Sequence, residues 1–296
     1  MKTYLDCIPC FFRQALEAAR IAGASEATQK RILDELGKIL PKFSLKSSPT
    51  EMGGIIHGLV KKITNEEDPY KYIKAENTQL AMGVYDNLKK KVKDSLDSLL
   101  TAVELAIAGN IIDYGVKNSL DINKELERIL NLENKTIKKE KKSFFNYPEF
   151  KQKLKNAKTI LYLADNAGET VFDRILIEEI KYLYGDKKIF YAVKEKPIIN
   201  DALIEDAYKC GIDKVATVIS CGANSPGTIL SLCSREFLKI YKEVDMIISK
   251  GQGNFEALSQ QKRPIFFLLK AKCHVVAKDI GCNVGDIILY FNHRKS

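Results

Sequence analysis

TILYLADNAGETVFDRILIEEI, Thr159 to Ile180, sets the fold class of the chain. Ile160–Leu163 is an apolar run of strand length. Phe172 to Leu183 then carries apolar residues at helical spacing. Between them the sequence turns polar at Asp165 and Asn166 and passes Gly168. A buried strand followed directly by a helix is the first half of a β-α-β unit. Ligands of open parallel sheets bind beyond the carboxyl ends of the strands, where this acid and amide stand. Asp-Asn at a strand end is also an ordinary helix cap, so the stretch alone leaves both readings open.

Outward from this stretch the same alternation continues. Ile189–Val193 reads as a strand, Asp201–Cys210 as a helix, Val215–Ile219 as a strand and Pro226–Tyr241 as a helix. Met246–Ser249 and Ile265–Leu269 read as strands around a short helix at Asn254–Leu258, and Ile287–Phe291 as a last strand. The expectation is an α/β fold: a mainly parallel, Rossmann-like sheet with helices on both faces.

The first half has a different grammar. Leu96, Leu99, Leu100, Val103, Ala106 and Ile107 share one helical face, as do Phe11, Ala15, Ala18 and Ala19. Ser25–Leu40 and Pro49–Ile63 read as further helices, the latter opened by Ser48, Pro49 and Glu51. A charged passage over Leu132–Ser143 reads as a connector, and the aromatic FFNYPEF at Phe144–Phe150 needs a surface to pack on. The predicted division is therefore an all-helical N-terminal domain, residues 1–145, and an α/β metal- and phosphate-binding domain, residues 146–296.

Composition bounds the function. The chain has 296 residues, 45% hydrophobic and 29% charged. No apolar run approaches the ~20 residues of a membrane helix, and MKTYLDCIPC lacks the apolar segment of a signal peptide. The expectation is a cytoplasmic protein with no membrane partner. The net charge of +9 sits largely in short runs such as Lys89–Lys93 and Lys138–Lys142. Scattered lysine of this kind reads as solvated surface and does not favour nucleic-acid binding.

The predicted strand ends carry the chemistry. DNAGE follows the first, KEKPIIND the second, SCGANSPGT the third, KGQGNFE the fourth and KAKC the fifth. Asp165, Asn166 and Asp201 make a hard oxygen-ligand set suited to Mg²⁺ or Mn²⁺. Lys250 and Lys270 are placed to hold an anionic group, and Gly168, Gly251 and Gly253 to present backbone N–H groups to phosphate. GQG lacks the third glycine of a dinucleotide loop, and neither a P-loop nor a GxSxG elbow is present.

In this order and spacing, LADNAGETVFD, KPIINDA, SCGANSPGT, DMIISKGQGNFEAL and FFLLKAKC resemble the damage-control phosphatase family, long catalogued as domain of unknown function 89. The N-terminal LDCIPCFFRQAL resembles its CxxC-bearing prokaryotic and archaeal subfamily. The resemblance implies a helical N-terminal part on a Rossmann-like domain, and hydrolysis of small phosphorylated metabolites with Mn²⁺, Ni²⁺, Co²⁺ or Mg²⁺. It implies metal ligands at Asp165, Asn166 and Asp201, a substrate loop at Lys250, Gly251, Gln252, Gly253, Asn254 and Phe255, and a phosphate-binding lysine at Lys270. Asn110 and Asp113, in AGNIIDYG, match a motif that reaches the same cleft. The nucleophile is either metal-bound water or an aspartate, in which case Asp165 is the candidate, and Glu169 is a candidate base behind the ligands. Cys221 departs from the hydroxyl residue that relatives often carry. A methyltransferase using S-adenosylmethionine and a non-enzymatic basic nucleic-acid-binding protein are the rival readings.

The seven cysteines include Cys7 and Cys10 at helical spacing. Core thiols, a redox pair and a metal site completed by Cys273 with His274 or Cys282 are the three readings. The subfamily resemblance points to Cys7, Cys10 and Cys273, where thiolates would favour Zn²⁺ or iron.

Overall fold

The computed structural model describes residues 1–109 and 143–292. Asn110, Asp113 and most of the Leu132–Ser143 passage lie outside the described residues. Among the described residues, five helices come before residue 110: α1 (Cys7–Ile21), α2 (Glu26–Ile39), α3 (Pro49–Thr64), α4 (Lys71–Lys93) and α5 (Ser98–Ala108). The expected start of α3 is realised as a capping box, in which Ser48 and Glu51 each satisfy the other's backbone N–H. Leu96 is corrected: it lies ahead of α5, which begins at Ser98, and is fully exposed. Asp97 ends the exposed segment by capping α5 through the Leu100 N–H.

α6 (Tyr147–Asn156) leads into β1 (Thr159–Leu163), α7 (Thr170–Tyr184), β2 (Lys188–Val193), α8 (Ile204–Lys209) and β3 (Thr217–Ser220). α9 (Arg235–Glu243), β4 (Met246–Lys250), α10 (Gln252–Leu258), β5 (Phe266–Lys270), α11 (His274–Ile280) and β6 (Ile287–Phe291) complete the described elements. The six strands run in the order β3-β2-β1-β4-β5-β6. Every pairing is parallel except β5 with β6. The order reverses between β1 and β4, which makes their carboxyl ends the topological switch point of the sheet.

The helix expected over Pro226–Tyr241 is shorter than the sequence implies. Ser234 caps α9 through the Phe237 N–H, so regular helix begins at Arg235. Upstream, Gly227 has φ +66°, outside the helical region, and packs on the Gly253 carbonyl.

Successive side chains of a strand point to opposite faces, so each face of the sheet builds its own core. Tyr162, Tyr191, Ile248 and Leu268 pack with α4, α5 and α7. Leu161, Leu163, Ile247 and Phe267 pack with α9, α10 and α11. A third apolar cluster joins α1, α2 and α3. Phe150, from the aromatic stretch, is fully buried and meets Phe266 edge-on at 5.2 Å.

Candidate active site at the strand switch point

Asp165 and Asn166 follow β1 directly, and a short bridge ties them to the loop after β2. Ala202 N–H donates to Asp165 O at 2.8 Å, and Ala167 N–H to Asn200 O at 2.9 Å. This bridge sets Asn166 opposite Asp201, so three residues separated by 35 positions in sequence become neighbours. From the other side β4 ends at Lys250, and Gly251 passes beneath the Asp165 carboxylate. A Cβ at Gly251, whose φ is +80°, would stand 2.0 Å from Asp165 Oδ2. Only glycine permits that approach.

Two kinds of polar environment meet here. On one side Lys250, 1% exposed, donates to Glu169 Oε2 and to Asp173 Oδ1, both at 2.8 Å. Tyr162 donates to Asp173 Oδ1 at 2.7 Å and Tyr191 to Oδ2 at 2.8 Å. Asn166 Nδ2 donates to Glu169 Oε1 at 2.9 Å. Burial opposes the charge on Lys250, but Asp173 and Glu169 hold it protonated above the usual lysine range. On the other side Asp201 is 5% exposed, and its Oδ2 has no hydrogen-bond partner. Lys194 Nζ stands 3.6 Å from it and donates instead to Gly227 O at 2.5 Å. Burial pushes Asp201 up to about 6 against the pull of Lys194. Asp165 is held well above the carboxylate range by burial, then by the charges of Glu169 and Asp201.

The residues of the KGQGNFE loop are brought to this site, but several are braced within it. Lys250 is engaged by two carboxylates, which corrects its expected use as a free anion clamp. Gly251 N–H donates to Leu268 O at 3.0 Å, so it does not serve a phosphate. Asn254 donates to Ala164 O and Lys250 O and accepts from Thr228 Oγ1, pinning the ends of β1 and β4 to the loop after β3. Gln252 accepts from Lys272 N and donates to Glu256 Oε1. Gly253 lies against Gly227. Lys270, the last residue of β5, is half-buried.

Sequence reasoning missed Asp173, Lys194 and Lys272. The charge of Lys272 is felt at Asp165, and that of Lys194 at Asp201. Asp173 had a readable signal: Tyr162 and Tyr191 each place a hydroxyl inside an otherwise apolar strand, and a buried hydroxyl needs a partner. The helical half adds a small pocket lined by His57, Lys61, Asp68, Tyr70 and Pro197–Ile199. It abuts the loop that carries Asp201, and Ile199 there has the strained φ of +47°.

The expected thiolate set does not assemble. Cys7 and Cys10 sense Cys273, yet burial raises both thiols above their ordinary range. Cys273 caps α11, its sulfur accepting from Val276 N at 3.5 Å and from Gln252 Nε2 at 3.7 Å. Among the described residues no three His, Cys, Asp or Glu side chains gather into a metal-holding group. In the oxygen set the third acid, Glu169, is turned toward Lys250 and Asn166, which leaves two carboxylates and an amide.

Fold and site define a Rossmann-like α/β protein with a cluster of buried carboxylates at the switch point of its sheet. The chain belongs to the damage-control phosphatase ARMT1-like family, whose model matches residues 3–288. It is 37% identical over 298 residues to a damage-control phosphatase of Pyrococcus horikoshii, covering the whole of both chains. A damage-control phosphatase of Archaeoglobus fulgidus is 35% identical over 291 residues, covering 97% of this chain and 98% of that one. The crystal structure of a DUF89 family protein from Pyrococcus horikoshii superposes with a TM-score of 0.87 at 35% identity, covering 99% of each chain. No helix among the described residues is long and apolar enough to cross a membrane.

Proposed function

We propose that this chain is a divalent-metal-dependent phosphatase of small phosphorylated metabolites, such as sugar phosphates. The observation that carries the proposal is a pair of mutually repelling carboxylates, Asp165 and the buried Asp201, with one Asp201 oxygen that has no hydrogen-bond partner and meets Lys194 at 3.6 Å. A buried carboxylate oxygen without a donor is costly, and a cation relieves it. The oxygen donor set fits a hard or borderline divalent ion: Asp165, Asn166 and Asp201 would hold Mn²⁺, Ni²⁺, Co²⁺ or Mg²⁺. When bound, such an ion supplies charge neutralisation to a phosphoryl group. The family and its named phosphatase members support the same activity.

The chain's own residues divide the remaining work. Glu169, held by Lys250, fixes the Asn166 amide by accepting from Nδ2. Glu169 is therefore a positioning residue in this arrangement, and Asp165 is the carboxylate assigned to catalysis. Lys272 and Lys270 supply cations at the β5 end for the phosphate, in place of Lys250. Phosphate monoester hydrolysis is extremely slow unaided, and charge compensation of this kind addresses its barrier. The methyltransferase alternative finds no glycine-rich loop after β1, where Ala167–Glu169 instead forms a 3₁₀ turn.

The test is phosphate release from a panel of sugar phosphates and a generic aryl phosphate, with added Mn²⁺ and with a chelator. Metal-dependent release that is lost in Asp165→Ala and Asp201→Ala is expected. Equal rates with and without metal, or full activity in both variants, would overturn the assignment.

A further inference from the structure

Cys221 and Cys233 lie outside the ligand set, and the polypeptide between them carries part of its support. Cys221 follows β3, where its N–H donates to Val193 O at 2.8 Å and its carbonyl accepts the Ser234 N–H at 3.0 Å. Gly222 has φ +78°, and a Cβ there would stand 2.6 Å from Ser234 N. The two backbones thus pass closely, and Cys233 is set alongside Cys221. Both are free thiols, Cys221 buried and Cys233 half-buried against the core that holds Cys221. Their sulfurs turn to loop carbonyls, Cys221 to Ala223 O at 3.9 Å and Cys233 to Ile229 O at 3.4 Å. The loop they bracket supplies Gly227 O, which holds Lys194, and Thr228 Oγ1, which holds Asn254. Lys194 in turn faces Asp201.

We propose that Cys221 and Cys233 form a reversible disulfide when exposed to a hydroperoxide, and that closing it draws the 221–233 loop away from Lys194 and so disturbs Asp201. The chemistry balances. The Cys221 thiolate attacks one oxygen of hydrogen peroxide, giving the sulfenic acid and releasing water once a proton is taken up. The Cys233 thiol then attacks the Cys221 sulfur, the S–S bond forms, and a second water leaves. Two thiols are oxidised and one peroxide is reduced.

Three observations favour this pair over the other cysteines. The Ser234 N–H bond to the Cys221 carbonyl already holds the two backbones together, and closure takes the sulfurs from their loop carbonyls to the ~2.05 Å of a disulfide. The neighbouring Cys233 thiol, then the charge of Lys194, lowers the Cys221 thiol below its ordinary range, which favours its thiolate. Cys233 opens the pair toward solvent, whereas Cys210 is buried and bonded to Thr170.

The coupling to the site rests on the function proposed above, but the cross-link does not. The experiment treats the full chain with hydrogen peroxide, blocks remaining thiols and maps peptides by mass spectrometry. Amide hydrogen exchange over residues 222–229 and phosphate release are followed in parallel. The expected result is a Cys221–Cys233 peptide pair lighter by about 2 Da, reversed by dithiothreitol and absent from Cys233→Ser. Exchange in the loop changes on oxidation. Phosphate release falls at least about tenfold in the wild type and is untouched by peroxide in Cys233→Ser. Recovery of both cysteines without the cross-link overturns the proposal. A cross-linked protein with unchanged exchange and unchanged release overturns the coupling. If the reduced chain releases no phosphate, the phosphatase assignment fails, and the peptide map and exchange still decide the disulfide.

Discussion

Two pairs of carboxylates gathered at one strand end meet different fates. Glu169 and Asp173 are saturated: one buried lysine, two tyrosines and an amide serve them. Asp201 is not: one of its buried oxygens has no hydrogen-bond partner and meets Lys194 at 3.6 Å, while Asp165 beside it accepts a long bond from Asn166 at 3.4 Å. The first pair reads as scaffold, and the second is where the proposed ion would bind. Buried polar groups are normally paired, so an unpaired carboxylate oxygen beside a second acid is a candidate for function.

The contrast is broken most severely at its saturated half. Lys250→Met leaves Glu169 and Asp173 buried without their cation, and about 3–5 kcal/mol of stability is expected to be lost. Chemical denaturation measures it. A variant as stable as the wild type would show that the saturated half is not a scaffold.

The boundary between the halves is the next target. Gly251→Ala forces a glycine-only backbone region, worth about 1–3 kcal/mol, and drives its Cβ into the Asp165 carboxylate. Both stability and metal-dependent phosphate release are expected to fall. Retained activity would mean that Asp165 has room to move without consequence.

Tyr162→Phe is the mildest change. Asp173 keeps Lys250 and Tyr191, so about 1 kcal/mol of destabilisation is expected with activity preserved. Thermal melting and phosphate release together check it. A loss of activity larger than the loss of stability would place Asp173 in the chemistry.

The sequence shows the unsaturated half better than the saturated one. Asp165 and Asn166 announce themselves because an acid and an amide close an apolar strand, and Asp201 because it ends a loop after the next strand. Lys250 was legible as a buried-strand cation but not as the partner of Glu169 and Asp173. Those residues sit about 80 positions upstream, and only the β1–β4 pairing brings them together. Asp173 sits inside the helical pattern VFDRILIEEI, where an acid reads as solvated, yet it is fully buried. The alternation of strands and helices was likewise readable from local periodicity. The long α4 was not, because its apolar residues are diluted by lysines, asparagines and glutamate along 23 residues. The thiolate set failed for the opposite reason: CxxC spacing is a local signal, while its third ligand had to come from the far end of the chain.

The central claim is that Asp165, Asn166 and Asp201 form a site short of a divalent cation. Its most direct test is thermal melting of metal-free protein titrated with Mn²⁺, comparing the wild type with Asp201→Asn. An ion that binds only the folded chain raises its stability by mass action, about 2.7 kcal/mol at a hundredfold excess over Kd. The wild type is expected to show this rise, and Asp201→Asn to show little of it. No rise in the wild type, or the same rise in both proteins, would contradict the claim.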